Sequence, residues 1–258
     1  MKTIEGVLKV EHATKIETCE KHGEYESRNY FGNIWSKCLK CGEERAEIER
    51  QQVELEMRKQ KRQRWESKLG AAAIPERFRD RTLDTYVATT PEQEKALSFA
   101  RDYALTFNDV MKTGRSALFI GKPGTGKTHL AVGIALRIMG AENRSALFTT
   151  VQRAIRRVKD TWTKESQETE SQAIAALAYP DLLILDEVGV QFGSEFEKQV
   201  LFDVLNDRYE KRKPVILLSN LDAKEVAGYL GERIADRLRE DGGKVIVFNW
   251  ESHRKQKQ

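Results

Sequence analysis

Through the last two-thirds of the chain, short apolar runs alternate with longer helix-like stretches. The runs fall at 116–120 (SALFI), 145–149 (SALFT), 182–186 (LLILD), 215–219 (VILLS) and 245–248 (VIVF). Each is a few residues rich in β-branched, aliphatic or aromatic side chains and predicts a strand. Their nearly continuous apolar character is what strands buried on both faces require. Helical segments separate them, so the expected fold is α/β, with a doubly wound, parallel, five-stranded sheet.

The first 70 residues follow other rules. Residues 43–69 are almost all good helix formers, and neither Gly nor Pro interrupts them. Glu dominates the first half and Lys/Arg the second, an order that suits the helix dipole. The apolar positions there (Ala46, Ile48, Val53, Leu55, Met57, Trp65, Leu69) are too sparse for a wide buried face. The segment reads either as a solvated connecting helix or as an arm that docks on a partner. Residues 1–42 hold all three cysteines, with Tyr25, Tyr30, Phe31 and Trp35 between them. The expected division is therefore 1–42 as a metal-binding module, 43–70 as a charged helix, and 71–258 as the α/β domain.

Composition adds boundaries. Apolar residues make up 40% and charged residues 33%, enough for one substantial core in a well-solvated protein. A net charge of +4 permits nucleic-acid binding without arguing for it. No run approaches the ~20 apolar residues of a membrane span. The N-terminus lacks a signal-peptide core, so the expectation is a cytoplasmic protein with no membrane partner. An odd, clustered cysteine set suits a metal better than disulfides.

Residues 121–128 read GKPGTGKT, a Gly-x4-Gly-Lys-Thr pattern between a strand and a helix. Glycines let such a loop turn its N–H groups inward, and the helix N-terminus completes an anion cradle. The candidate nucleotide-binding residues are Gly121, Pro123, Gly124, Thr125, Gly126, Lys127, Thr128 and His129. Lys127 suits the β- and γ-phosphates of ATP, and the Thr128 hydroxyl suits Mg²⁺. The strand LLILDE ends in Asp186, a second Mg²⁺ candidate, and Glu187, placed to polarise an attacking water. Asn220 ends the next apolar strand within reach of a γ-phosphate. The acidic pair favours hydrolysis over transfer to a small acceptor, the reaction of a small-molecule kinase.

Cys19-x2-His22 and Cys38-x2-Cys41 form two short pairs separated by a hairpin-sized insert. Four protein ligands suit a structural, tetrahedral Zn²⁺. Gly23 and Gly42 follow the pairs, where each knuckle is expected to turn sharply. His12 and His253 look incidental. The ligand set does not distinguish a protein-binding from a DNA-binding module.

The order GKPGTGKT, LLILDEVGVQ, LLSN, LGERIADRLR and VFNWESHR resembles AAA+ ATPases of the DnaC/IstB group, most closely the DnaC-type helicase loaders. VKDTW, DEVGVQ and FNWESHR carry most of the specificity, and residues before about 70 lie outside the resemblance. It implies that Arg237, with Arg233 nearby, is an arginine finger acting on a neighbouring subunit's nucleotide, and hence a homo-oligomer when ATP is bound. It implies that no helical lid follows the sheet, with Arg254 partly replacing the lid's arginine. It also implies that the segment TTVQRAIRRVKDTW touches single-stranded DNA. Arg156 and Lys159 there would track phosphates, with Arg153 and Arg157 beside them, and Trp162 would stack on a base, with Ser194 and Phe196 as a second contact pair. The alternative for this segment is an amphipathic helix whose Trp packs inward. The implied function is an ATP-dependent loader of a replicative DnaB-type helicase onto single-stranded DNA. The alternatives are an IstB-like ATPase assisting a transposase and a nucleotide-dependent DNA-binding module with little hydrolysis. A DnaA-type initiator fits poorly, because the duplex-reading domain is not expected after the sheet.

Overall fold

The computed structural model describes residues 13–32, 34–190 and 194–253. The chain divides into two compact units, Met1–Arg64 and Trp65–Gln258.

In the first unit, β1 (Thr14–Cys19) and β2 (Gly23–Phe31) form an antiparallel hairpin, and β3 (Ile34–Trp35) adds to β2 after a register shift. Helix α1 (Leu39–Ala71) begins here and runs past the unit boundary. Among described residues 13–64, only Ser27 and Cys38 are buried. Among these described residues, the side-chain burial needed for an apolar core is absent.

The second unit is built on a parallel sheet of β4 (Ala117–Gly121), β5 (Ala146–Thr150), β6 (Leu182–Asp186), β7 (Val215–Ser219) and β8 (Lys244–Phe248), in the order β5-β6-β7-β4-β8. Each expected strand forms within one residue of its predicted ends. The central strands point successive side chains to opposite faces. Phe119, Ile184, Ile216 and Leu218 join one core with helices α2 (Pro91–Leu105), α3 (Phe107–Thr113) and α4 (Lys127–Ala141). Leu183, Leu185, Val215 and Leu217 join another with α5 (Val151–Asp160), α6 (Glu170–Ala178) and α7 (Glu195–Glu210). Helices α8 (Ala223–Leu230) and α9 (Glu232–Arg239) follow β7. The end of α1 belongs to this unit: Leu69 is in its core, and the Lys68 ammonium donates to the Met139 carbonyl (3.1 Å). Among the described residues, no helix is long and apolar enough to cross a membrane.

Candidate nucleotide site and metal centre

The phosphate loop leaves the carboxyl end of β4 and opens α4, whose N-cap is Gly126. Its glycines are needed for space as well as for conformation. At Gly121 (φ +127°) a Cβ would lie 2.2 Å from the Phe248 carbonyl oxygen, and at Gly126 (φ +100°) 2.7 Å from the Tyr86 ring. Such overlaps and left-handed angles exclude other residues.

Lys127 is 7% exposed. Its ammonium donates to the carbonyls of Gly121 (2.5 Å) and Lys122 (2.8 Å) and to Asn220 Oδ1 (2.9 Å). Burial pulls its pKa down to about 8, only partly opposed by the Asp186 charge. The Thr128 hydroxyl donates to Asp186 Oδ2 (3.0 Å), and the Glu187 N–H donates to Asp186 Oδ1 (2.8 Å). Burial also raises the Asp186 carboxyl against those two hydrogen bonds. A divalent cation would reverse that cost by supplying the missing positive charge. Glu187 is exposed and has φ +62°, a left-handed angle that costs a non-glycine residue ~1 kcal/mol or more. Lys127, Thr128, Asp186, Glu187 and Asn220 are thus brought together at the carboxyl ends of β4, β6 and β7, where an open parallel sheet binds ligands.

The remaining loop residues divide. The Thr125 hydroxyl donates to the Lys122 carbonyl (2.8 Å) and is fully buried. His129, whose pKa burial lowers, sits 2.8 Å from the Thr82 carbonyl through Nε2 and packs edge-on against Tyr86. Its ring therefore ties the loop helix to residues 82–86. His253 is not incidental to this region. Its backbone N–H donates to the Gly124 carbonyl (3.1 Å), and its ring lies against Tyr86. Arg254 lies outside the described residues.

Arg237 lies elsewhere. Its guanidinium donates to Asn206 Oδ1 and covers the Tyr209 ring at 4.6 Å. It shares a small cavity with Thr113, Ser116 and Val215, at the amino ends of β4 and β7. A five-residue strand, roughly 17 Å long, separates that end from the chain's own phosphate loop. Arg233 covers Phe202 at 5.5 Å, one turn away along α9.

Helix α5 is amphipathic, with Val151, Ala154, Ile155 and Val158 buried at helical spacing. Arg153 and Arg156 lie on its exposed side, while Arg157 makes a bidentate pair with Glu168 (2.6 and 3.2 Å). Trp162 is 60% exposed rather than packed inward, and its indole N–H donates to Glu170 Oε2 (2.8 Å). Its ring is 4.7 Å from that of Phe196, and the Lys159 ammonium is 5.4 Å from the Phe196 ring. Lys159, Trp162 and Phe196 therefore form one surface cluster. The Ser194 hydroxyl accepts from the Glu197 N–H and caps α7.

In the first unit, Cys19 ends β1, His22 lies in the hairpin turn, Cys38 precedes α1, and Cys41 lies in its first turn. The four ligand atoms lie within 4.8 Å of one another. Cys19 and Cys41 sulfurs are 3.4 Å apart, and His22 Nδ1 is 3.3, 3.6 and 3.8 Å from the sulfurs of Cys41, Cys38 and Cys19. Tetrahedral zinc with ordinary bond lengths sets S···S and S···N separations near ~3.8 and ~3.6 Å, so the set fits. The N–H groups of Lys21 and His22 lower the Cys19 thiol to about 6, while hydrogen bonding with Cys19 pushes Cys41 up to about 11. Gly23 turns with φ +76° as expected, but Gly42 is helical and its N–H donates to the Cys38 carbonyl. The helix formers that follow draw the second pair into α1, so a helix N-terminus presents these ligands instead of a second glycine turn. Glu44, which the sequence did not single out, accepts from His22 Nε2 (3.0 Å) and Lys21 Nζ (2.5 Å). A carboxylate on the far ring nitrogen orients a metal-binding histidine.

A phosphate loop at the carboxyl end of a central parallel strand, facing an acidic strand end, defines a P-loop nucleotide-binding protein. The IstB-like ATP binding protein family model matches residues 47–258, and the chain belongs to that family, within the DnaC/IstB group of AAA+ ATPases. It is 34% identical over 202 residues to the replicative helicase loader DnaC of Escherichia coli (strain K12), covering 78% of this chain and 79% of that protein. It is 33% identical over 199 residues to the replicative helicase loader DnaC of Buchnera aphidicola subsp. Baizongia pistaciae, covering 77% and 79%. A crystal structure of the DnaC helicase loader shares the fold, with a TM-score of 0.61 and 24% identity over 68% of this chain and all of that one. Residues 1–46, with the cysteine and histidine cluster, lie outside the family match.

Proposed function

We propose that the protein is an ATP-dependent loader of a replicative, DnaB-type helicase onto single-stranded DNA, working as an ATP-bound homo-oligomer that hydrolyses ATP. The observation that carries this reading is the 34% identity, over nearly four-fifths of both chains, to a protein named as a replicative helicase loader. In the nucleotide site, Lys127 would exchange its loop carbonyls for the β- and γ-phosphates, and Thr128 and Asp186 would hold Mg²⁺. Mg²⁺ neutralises charge on the phosphates. Glu187 orients the attacking water, and Asn220 holds the γ-phosphate side of the site. Arg237, at the amino ends of the strands, is out of reach of its own loop and serves a neighbour's nucleotide. Lys159, Arg156, Trp162 and Phe196 contact single-stranded DNA by charge and stacking, beside Ser194. Zn²⁺ on Cys19, His22, Cys38 and Cys41 holds the N-terminal module, and residues 1–70 dock the helicase.

The test is co-purification with the host replicative helicase. A complex lost on deleting residues 1–70 supports the loader, whereas association with a transposase alone would replace it by the transposase-assisting reading. Arg237→Ala is expected to retain nucleotide binding but to lower DNA-stimulated hydrolysis of the assembled protein by roughly 10³-fold or more. Normal turnover by that variant in the assembled state would remove Arg237 from the reaction.

A further inference from the structure

The motif FNWESHR marks the family resemblance, and its residues 248–253 run alongside the phosphate loop. Its residues make three hydrogen bonds to the phosphate loop. The Phe248 carbonyl accepts from the Lys122 N–H (3.1 Å), Trp250 Nε1 donates to the Thr125 carbonyl (2.9 Å), and the His253 N–H donates to the Gly124 carbonyl (3.1 Å). The segment is anchored in the core: Trp250 is 8% exposed and packs at a tilt against Phe248 (4.9 Å), which packs on Phe119 of β4 (5.3 Å).

A trans peptide is planar, so its C=O and N–H point in opposite directions. Holding the Gly124 carbonyl toward residue 253 aims the N–H of Thr125 the other way. Holding the Thr125 carbonyl toward Trp250 does the same for the N–H of Gly126. Loop N–H groups of this kind grip phosphate oxygens, and donors already aimed cost less to order on binding. We propose that residues 248–253 form a strap that presets the phosphate loop, with Trp250 and the His253 backbone as positioning residues for nucleotide binding. The inference rests on ATP binding and is independent of the helicase reading. It carries a signature: ATP and ADP share the phosphates that the loop N–H groups hold, so both lose affinity alike when the strap is weakened. A residue reading the γ-phosphate would change ATP alone.

The experiment is calorimetric titration of the full-length protein with Mg-ATP and Mg-ADP. Trp250→Phe, which deletes the indole N–H, is expected to raise both Kd values by a similar factor, roughly threefold to tenfold, with little change in kcat at saturation. His253→Pro, which removes the backbone donor, is expected to weaken both nucleotides more than His253→Ala, which keeps it. Melting curves without nucleotide identify folded variants, and the His253 pair decides the matter alone if Trp250→Phe does not fold. Wild-type Kd values in folded Trp250→Phe, a loss confined to ATP, or equal effects of Pro and Ala at 253 would overturn the strap. A wild-type protein that takes up no nucleotide would overturn the nucleotide site itself, and the strap with it.

Discussion

Replacing Lys127 with alanine is expected to weaken Mg-ATP and Mg-ADP binding by about 100-fold or more, to below detection in an ordinary titration. A charge-assisted hydrogen bond contributes about 1.5–3 kcal/mol, and this ammonium has phosphate oxygens of two groups within its reach. The free protein should tolerate the change. Alanine strips donors from the Gly121 and Lys122 carbonyls and from Asn220, but it also removes a buried charge whose pKa burial pulls down to about 8. These terms oppose each other, so the melting temperature without nucleotide should move little. The same shift sets a pH dependence. Phosphate oxygens raise the lysine's pKa again, so the group gains a proton on binding only above its free value. Affinity should be flat below pH 8. It should then fall by up to about tenfold per pH unit as pH rises toward the bound pKa. Titrations of the wild-type protein between pH 7 and 10 check the slope, and a titration of Lys127→Ala at pH 7 checks the loss. Tight binding by a folded Lys127→Ala protein would mean that the phosphates sit elsewhere.

The parts of this site legible in the sequence are those whose chemistry is local. A glycine loop between a strand and a helix, and an acidic pair closing an apolar strand, specify their own surroundings within about eight residues. The five strands were legible for the same reason, since burial on both faces leaves short uninterrupted apolar runs. Long-range placement was not legible. Trp250 reaches Thr125 only because β8 pairs with β4 at the sheet edge, and no spacing rule encodes that neighbour relation. Glu44 was one glutamate among many in a charged helix, and its role depends on α1 starting at the metal ligands so that its carboxylate meets His22. Gly42 misled for a related reason. A glycine after a cysteine pair signals a turn in isolation, yet the helix formers that follow it determine the local backbone. The outward Trp162 was implied by the family resemblance, whereas its partners Glu170 and Phe196 come from other segments that no local spacing rule brings to it.

Removing the metal should produce the largest change in the first unit. With only Ser27 and Cys38 buried among described residues 13–64, apolar burial contributes little there. Isolated hairpins of this size are marginal in water. Structural zinc contributes about 10–16 kcal/mol to comparable peptides, enough to make folding and metal binding one process. Purified protein is therefore expected to carry stoichiometric zinc, measured by elemental analysis, and Cys38→Ser to lose it. In the metal-free protein the backbone amides of β1 and β2 should lose their hydrogen-exchange protection, while those of the five-stranded sheet keep theirs. The two activities should separate in the same way. Nucleotide affinity, which the proposed site places within residues 65–258, should be unchanged by a chelator acting in the absence of Mg²⁺ and then removed before titration. Helicase co-purification should be lost. A hairpin still protected after chelation, in protein shown to be free of zinc, would mean that the cysteine and histidine cluster folds this unit without a metal.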